Sequence, residues 1–308
     1  MRTDAMGWHT GFMGQRILVT ILLLIGLAPL LTGAEEMLVS GAWLEKRLGN
    51  AEVVILHVGT PADYQEGHIP GARLLRLEDI SVTSADGLRT ELPRVDALEA
   101  AFGKLGVTEE ATVVVYHTGR AVQTATRAWF TLDYLGLGGR AALLDGGFAL
   151  WKKEGRAVST EAAPSAAGHF TPRPAPVKVA SAEWIRMRLK DPGVMIIDAR
   201  APEYYSGADK GAMVRGGRIP GAISATYSLF LDEDGRLQSR EALRKLLHAG
   251  ERRPEPVRVT YCHSGVQATV PYFAGRYLGL EMRLYDASFQ DWSRRKEYPV
   301  TPGADESR

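Results

Sequence analysis

The chain repeats itself, and that repeat limits what it can fold into. "VVILHVGTPADYQEGHIPGA" (Val53 to Ala72) is answered by "VMIIDARAPEYY" (Val194 to Tyr205) and "GGRIPGA" (Gly216 to Ala222), with Tyr64 set against Tyr204. "VVVYHTGRAVQTATRAWFTLDYLGL" (Val113 to Leu137) is answered by "VRVTYCHSGVQATVPYFAGRYLGL" (Val257 to Leu280), and "LLDGGFALW" (Leu143 to Trp151) by "LYDASFQDW" (Leu284 to Trp292). Three blocks recur in one order at a period of roughly 140 residues, which is domain-sized and too long for a solenoid unit. A duplicated domain follows. Its expected limits are 35–157 for the first copy, 158–180 for an Ala-, Pro- and Ser-rich semi-extended linker, and 181–308 for the second.

Within each copy, continuously apolar runs alternate with amphipathic stretches such as Val95–Leu105, Ala121–Leu137 and Arg240–Leu247. That alternation predicts an α/β fold with a mostly parallel sheet flanked by helices. Active sites in such sheets lie beyond the carboxyl ends of the strands.

Residues 1–34 do not belong to the repeat. Arg16 precedes an apolar run from Ile17 to Leu31, broken by Thr20, Gly26 and Pro29, and small residues end at Ala34. This pattern predicts an export signal cleaved near Ala34, with a periplasmic or secreted destination and Met13 as an alternative start. A retained membrane anchor is the competing reading, although the run falls short of the ~20 apolar residues a span needs. With 37 basic and 36 acidic residues the net charge is +1. No global field draws nucleic acid, and membrane contact is expected only through the export segment.

The chain has one cysteine, Cys262, directly after the apolar run Val257–Tyr261 and before an expected helix start near Ala268. An odd cysteine in an exported protein is an intermolecular partner, a reactive thiol or an inert core residue. Here the loop Cys262, His263, Ser264, Gly265, Val266, Gln267 joins strand to helix, and such loops turn backbone N–H groups and the positive end of a helix toward an anion. Thiols in that setting ionise below the ordinary ~8.5 and become nucleophilic. The first copy has His117 at the corresponding place, with no thiol.

With these motifs in hand, the chain resembles the tandem-domain rhodaneses, the sulfurtransferases acting on thiosulfate or 3-mercaptopyruvate. The two Ile-Pro-Gly-Ala blocks, "DARAPEYYSG" (Asp198 to Gly207), "LLDGGFALW" and the six-residue cysteine loop carry the resemblance over Met37 to Val300. The resemblance implies two rhodanese-like domains of which only the second is catalytic, leaving His117 a remnant. It implies a persulfide on Cys262, formed from a small sulfur donor and discharged to cyanide or a thiol, with no cofactor; one cysteine and seven scattered histidines give no paired metal-ligand spacing. It further implies Arg200 and Arg215 as the cations that bind the donor. Arg218 departs from the family, standing where a histidine usually precedes Ile-Pro-Gly-Ala and where the first copy keeps His68.

The donor is less clearly written. Thiosulfate-type relatives carry basic residues after the cysteine and mercaptopyruvate-type relatives Gly-Ser-Gly; here Ser264 and Gly265 lean toward mercaptopyruvate, His263 and Gln267 depart from both patterns, and export favours thiosulfate or another sulfane-sulfur donor. A related phosphatase chemistry would need Cys-x5-Arg, and position 268 is Ala. A non-enzymatic persulfide carrier is the remaining alternative, and the sequence identifies no protein acceptor.

Overall fold

The computed structural model describes residues 37–164 and 167–302. The export segment expected at 1–34 lies outside them. Strands β1 (Leu38–Val39), β2 (Val53–Val58), β3 (Arg73–Leu75), β4 (Thr112–His117) and β5 (Ala141–Leu144) form an all-parallel sheet in the order β1-β5-β4-β2-β3. The second copy contributes β6 (Val194–Asp198), β7 (Ile223–Ser224), β8 (Val257–Tyr261) and β9 (Met282–Leu284), parallel and ordered β7-β6-β8-β9. A parallel bridge between Val179 and Leu284 supplies the edge that β1 supplies in the first sheet. The topologies are therefore the same.

Alternation along the strands divides each core in two. In β4, Val114 and Tyr116 pack with Ile55, Ile69 and Trp151 on the first sheet's own face. Val113 and Val115 point the other way, into a cluster that also holds Tyr272, Phe273 and Leu284 of the second copy. The helices Val122–Tyr134 and Thr269–Tyr277 meet across this boundary, where Trp129 sits edge-on to Phe273 and Phe130 edge-on to Tyr272, both with ring centroids 4.9 Å apart. Aromatic pairs in this geometry contribute ~0.5–1.5 kcal/mol beyond their area. The Thr126 and Thr269 hydroxyls are 2.7 Å apart at the same crossing.

The linker is extended but held along its length. Ser159 pairs with His68, Gly168 donates to the Gly103 carbonyl, Arg173 to Leu135 and Ala175 to Tyr134. Lys178 then reaches the buried carboxylate of Asp133 at 2.6 Å, an acceptor that also takes the Tyr272 hydroxyl at 2.9 Å. One carboxylate thus ties the first copy, the linker and the second copy together.

The structure corrects one pairing drawn from the repeat. Tyr64 donates to the Ala72 carbonyl at 2.7 Å, and its counterpart is Tyr205, which donates to Ala222 at 2.8 Å. Tyr204 is thereby released from the scaffold, and its ring stands edge-on to His263 at 4.5 Å. Arg218 takes over the duty of His68. His68 stacks on Tyr64 and binds its carbonyl, while Arg218 lies 4.5 Å over the Tyr205 ring and reaches the Tyr205 carbonyl at 3.4 Å.

Candidate active site

β8 ends at Tyr261, a fully buried residue whose hydroxyl accepts the Ile219 N–H at 3.2 Å. Tyr116 does the same for Ile69 in the first copy, at 3.1 Å. Each tyrosine pins the Ile-Pro-Gly-Ala block to the central strand and fixes where the next residue emerges. In the second copy that residue is Cys262, 1% exposed.

The backbone around the sulfur is bound from two sides. The Cys262 N–H donates to Ser288 Oγ at 3.1 Å, and the Cys262 carbonyl accepts from Phe289 at 3.1 Å. Ser288 has φ 57°, a left-handed conformation costly for a residue with a Cβ, and its first-copy counterpart is Gly147 at φ 55°. A serine retained in a glycine's conformation supplies something glycine lacks, and here it is the Oγ that receives the Cys262 N–H and donates to the Tyr285 carbonyl at 2.8 Å.

Gly265 makes the loop possible. At φ 88° it brings its N–H to 3.2 Å from Cys262 Sγ, and a Cβ there would lie 2.4 Å from the Asp286 carbonyl oxygen. The N–H groups of His263, Ser264, Val266 and Gln267 find no acceptor among the described residues, and the Gln267 Oε1 is buried without a partner. Backbone N–H groups left without a protein acceptor are uncommon, and a turn that carries several of them next to one already on the sulfur is the kind of loop that can cradle an anion. A sulfur carrying negative charge is stabilised by it. The helix begins at Thr269, one residue beyond the expected start.

The first copy forms part of this site, which reading the copies separately does not reveal. Thr90, at φ 58°, donates its hydroxyl to the Ser264 carbonyl. Arg127, fully buried on the first copy's long helix, pairs with Asp286 behind Gly265 and also donates to the Thr90 carbonyl at 2.8 Å. Asp286 accepts the Leu92 N–H at 2.7 Å as well. Gln290 exchanges two hydrogen bonds with the Arg89 backbone, at 3.0 and 2.9 Å, while its own N–H donates to the His263 carbonyl at 3.0 Å. Desolvation by burial, then the Arg200 charge, hold His263 below its ordinary pKa.

The two arginines expected to bind the donor are otherwise engaged. Arg200 is 1% exposed; its Nε and Nη2 grip both oxygens of buried Asp198, and Nη2 also donates to Gly217 at 2.8 Å. Burial disfavours its charge, yet Asp198 wins and the guanidinium is held above its ordinary value. Arg215 spends Nε, Nη1 and Nη2 on the carbonyls of Ser293, Tyr298, Trp292 and Arg295, capping the carboxyl end of the helix Ser288–Trp292. Arg215 thus has all three of its nitrogens engaged with main-chain carbonyls, whereas Arg200, whose charge reaches the His263 ring, keeps Nη1 without a partner among the described residues.

His117 occupies the cysteine's place in the first copy. It is buried, its Nδ1 has no partner, and burial pushes its pKa down to about 4. The mouth of that pocket, about 690 Å³, is rimmed by Asp232, Glu233 and Asp234 of the second copy.

The comparisons with known proteins agree with this arrangement. The Rhodanese-like domain family matches residues 40–154 and again 181–295. A probable 3-mercaptopyruvate sulfurtransferase of Pseudomonas aeruginosa is 35% identical over 78% of this chain and 86% of its own length. The thiosulfate sulfurtransferase of Azotobacter vinelandii is 30% identical over 86% of this chain and 96% of its own, and the 3-mercaptopyruvate sulfurtransferase of Escherichia coli 28% identical over 86% and 97%. Among solved structures, an anaerobic ergothioneine biosynthesis enzyme from Chlorobium limicola superposes with TM-score 0.78 at 21% identity, covering 87% of this chain and 70% of that one. YnjE superposes with TM-score 0.76 at 23% identity, covering 87% and 68%. At those identities the structures speak for the fold alone. Two matched domains, a cysteine loop in only the second and relatives named as sulfurtransferases over most of their length together make this chain a tandem-domain member of the rhodanese family of sulfurtransferases.

Proposed function

We propose that the enzyme moves sulfane sulfur from thiosulfate, or a related small donor, to cyanide or a thiol through a persulfide on Cys262. The Cys262 thiolate attacks the outer sulfur of thiosulfate, the S–S bond breaks, and sulfite leaves with the electron pair. The acceptor then attacks the terminal sulfur, and the thiolate is regenerated. Splitting the transfer into two displacements predicts ping-pong kinetics. The cradle of loop N–H groups stabilises charge on Sγ before attack and on the terminal sulfur after it.

The observation that carries this reading is the buried sole thiol with the Gly265 N–H on its sulfur and four neighbouring N–H groups without acceptors among the described residues. Intact-mass spectrometry after exposure to thiosulfate or 3-mercaptopyruvate tests it: one added sulfur, about +32 Da, is expected. The donor giving the faster addition is the preferred one. No mass change with any donor would remove the mechanism.

We also propose that the chain works outside the cytoplasm, on the strength of the apolar run Ile17–Leu31 and the small residues ending at Ala34. N-terminal sequencing of the mature protein should begin near Glu35. Retention of Ile17–Leu31 would replace export with anchoring.

A further inference from the structure

With Arg215 spent on carbonyls and Arg200 locked to Asp198 through Nε and Nη2, an anionic donor at the cysteine loop calls for a further cation with a free side chain. Contacts across the boundary between the copies single out Arg89. Its backbone N–H and C=O are clasped by Gln290 at 3.0 and 2.9 Å, and Gln290 is anchored to the His263 carbonyl. The next residue, Thr90, is bonded to Ser264 and held by Arg127. The Arg89 Cα is thus fixed to the cysteine loop through two independent tethers. Its side chain, by contrast, is exposed and has no hydrogen-bond or ion-pair partner among the described residues.

The side chain lines a cavity of about 280 Å³ together with Met213, Val214, Gln290 and Arg294. Arg294 closes one wall by donating to the carbonyls of Asp86 and Gly87. Arg89's charge is also felt by the His263 ring, adding to what burial already does there.

The pseudo-symmetric position makes the assignment sharper. The first copy's segment 82–92 lies over the second copy's site and ends with Leu92 donating to Asp286. The second copy's segment 227–237 lies over the first copy's site and ends with Leu237 donating to Asp145 at 2.8 Å. One covering segment presents Asp232, Glu233 and Asp234 to a pocket without a nucleophile. The other carries Arg89, whose backbone is tied through Gln290 and Thr90 to the loop that has one.

We propose that Arg89 of the first domain is the cation that receives the anionic end of the sulfur donor, so that the catalytic domain's donor site is completed by its inactive neighbour. This rests on the persulfide reading of Cys262. A donor with a terminal sulfonate or carboxylate fits it, because a guanidinium can bind two such oxygens at once.

The test measures single-turnover sulfuration of Cys262 by thiosulfate in the wild type, Arg89→Gln and Arg89→Lys. A neutral control, methyl methanethiosulfonate, undergoes the same thiolate attack on a sulfenyl sulfur. Its S–S bond breaks, methanesulfinate leaves with the electron pair, and no charged donor is involved. Arg89→Gln should slow thiosulfate by about tenfold to a hundredfold, the range of a lost charge-assisted contact. Arg89→Lys should recover part of that rate, and both variants should react with the neutral reagent within about twofold of wild type. An unchanged thiosulfate rate, or equal losses on both reagents, would overturn the assignment while leaving the persulfide intact. A wild type that forms no persulfide from any donor would instead overturn the reading beneath it.

Discussion

The two strand-to-helix crossings, Tyr116 to Val122 and Tyr261 to Thr269, start from the same scaffold and reach different chemistry. Both hang from a buried tyrosine that holds an Ile-Pro-Gly-Ala block, and both sit beside an aspartate clasped by the opposite copy. In the first, a neutral buried imidazole fills the space against Gly147. In the second, a thiol rests under a glycine N–H, with a serine supporting its own N–H from behind. The difference teaches that the fold supplies the position and only a few side chains supply the reactivity.

The largest effect that would break this comparison is on the nucleophile. Cys262→Ser is nearly isosteric and should abolish turnover of thiosulfate and cyanide to thiocyanate while leaving the circular dichroism spectrum unchanged; residual turnover would move the chemistry elsewhere. Arg200→Ala should act on stability first. It leaves Asp198 buried and unpaired, and removing one partner of a buried pair costs ~3–5 kcal/mol. Urea unfolding would show that loss, whereas wild-type stability with weakened donor kinetics would restore Arg200 to donor binding.

The glycine-for-serine exchange sharpens the comparison further. Gly147→Ala should destabilise by ~1–3 kcal/mol, because its Cβ would lie 2.7 Å from the His117 ring. Ser288→Gly should cost little stability but lower activity by about fivefold, the effect of one net hydrogen bond of ~1 kcal/mol. Equal behaviour of the two sites in stability and kinetics would mean Ser288 has no part in holding Cys262.

The smallest effect is expected at His117. Its pKa in the fold is about 4 against an ordinary 6.5, so between those values the unfolded chain binds a proton that the native one does not. Stability therefore falls as pH drops through that window. His117→Gln should flatten the fall, measured by urea unfolding at pH 7 and 5, and leave turnover at neutral pH within about twofold. His57, also held near 4 by burial, keeps part of the acid sensitivity in that variant.

Much of this was legible in the sequence because the repeat made it so. Aligning the blocks located both sheets, the asymmetric cysteine and the loop Cys262 to Gln267. Ser288 left a signal in the same alignment, standing where the first copy has glycine, but its meaning depends on φ. What the repeat could not show is where a side chain's hydrogen bonds end. Arg200 and Arg215 stand beside the right motifs, and only the positions of Asp198, Gly217 and the carbonyls after Ser288 reveal how many of their donors are already engaged. Thr90, Arg127 and Arg89 were invisible for a related reason. They act across the boundary between copies, at separations of 159 to 201 residues, where local periodicity carries no information.

The central claim is that sulfur rests covalently on Cys262 between donor and acceptor. It is tested most directly by loading the enzyme with thiosulfate labelled in its outer sulfur, removing the free donor, and adding cyanide. The account predicts about one label retained per wild-type chain, released quantitatively as labelled thiocyanate, and none retained by Cys262→Ser. A wild-type enzyme that retains no label while still turning over, or a serine variant that retains it, would contradict the account.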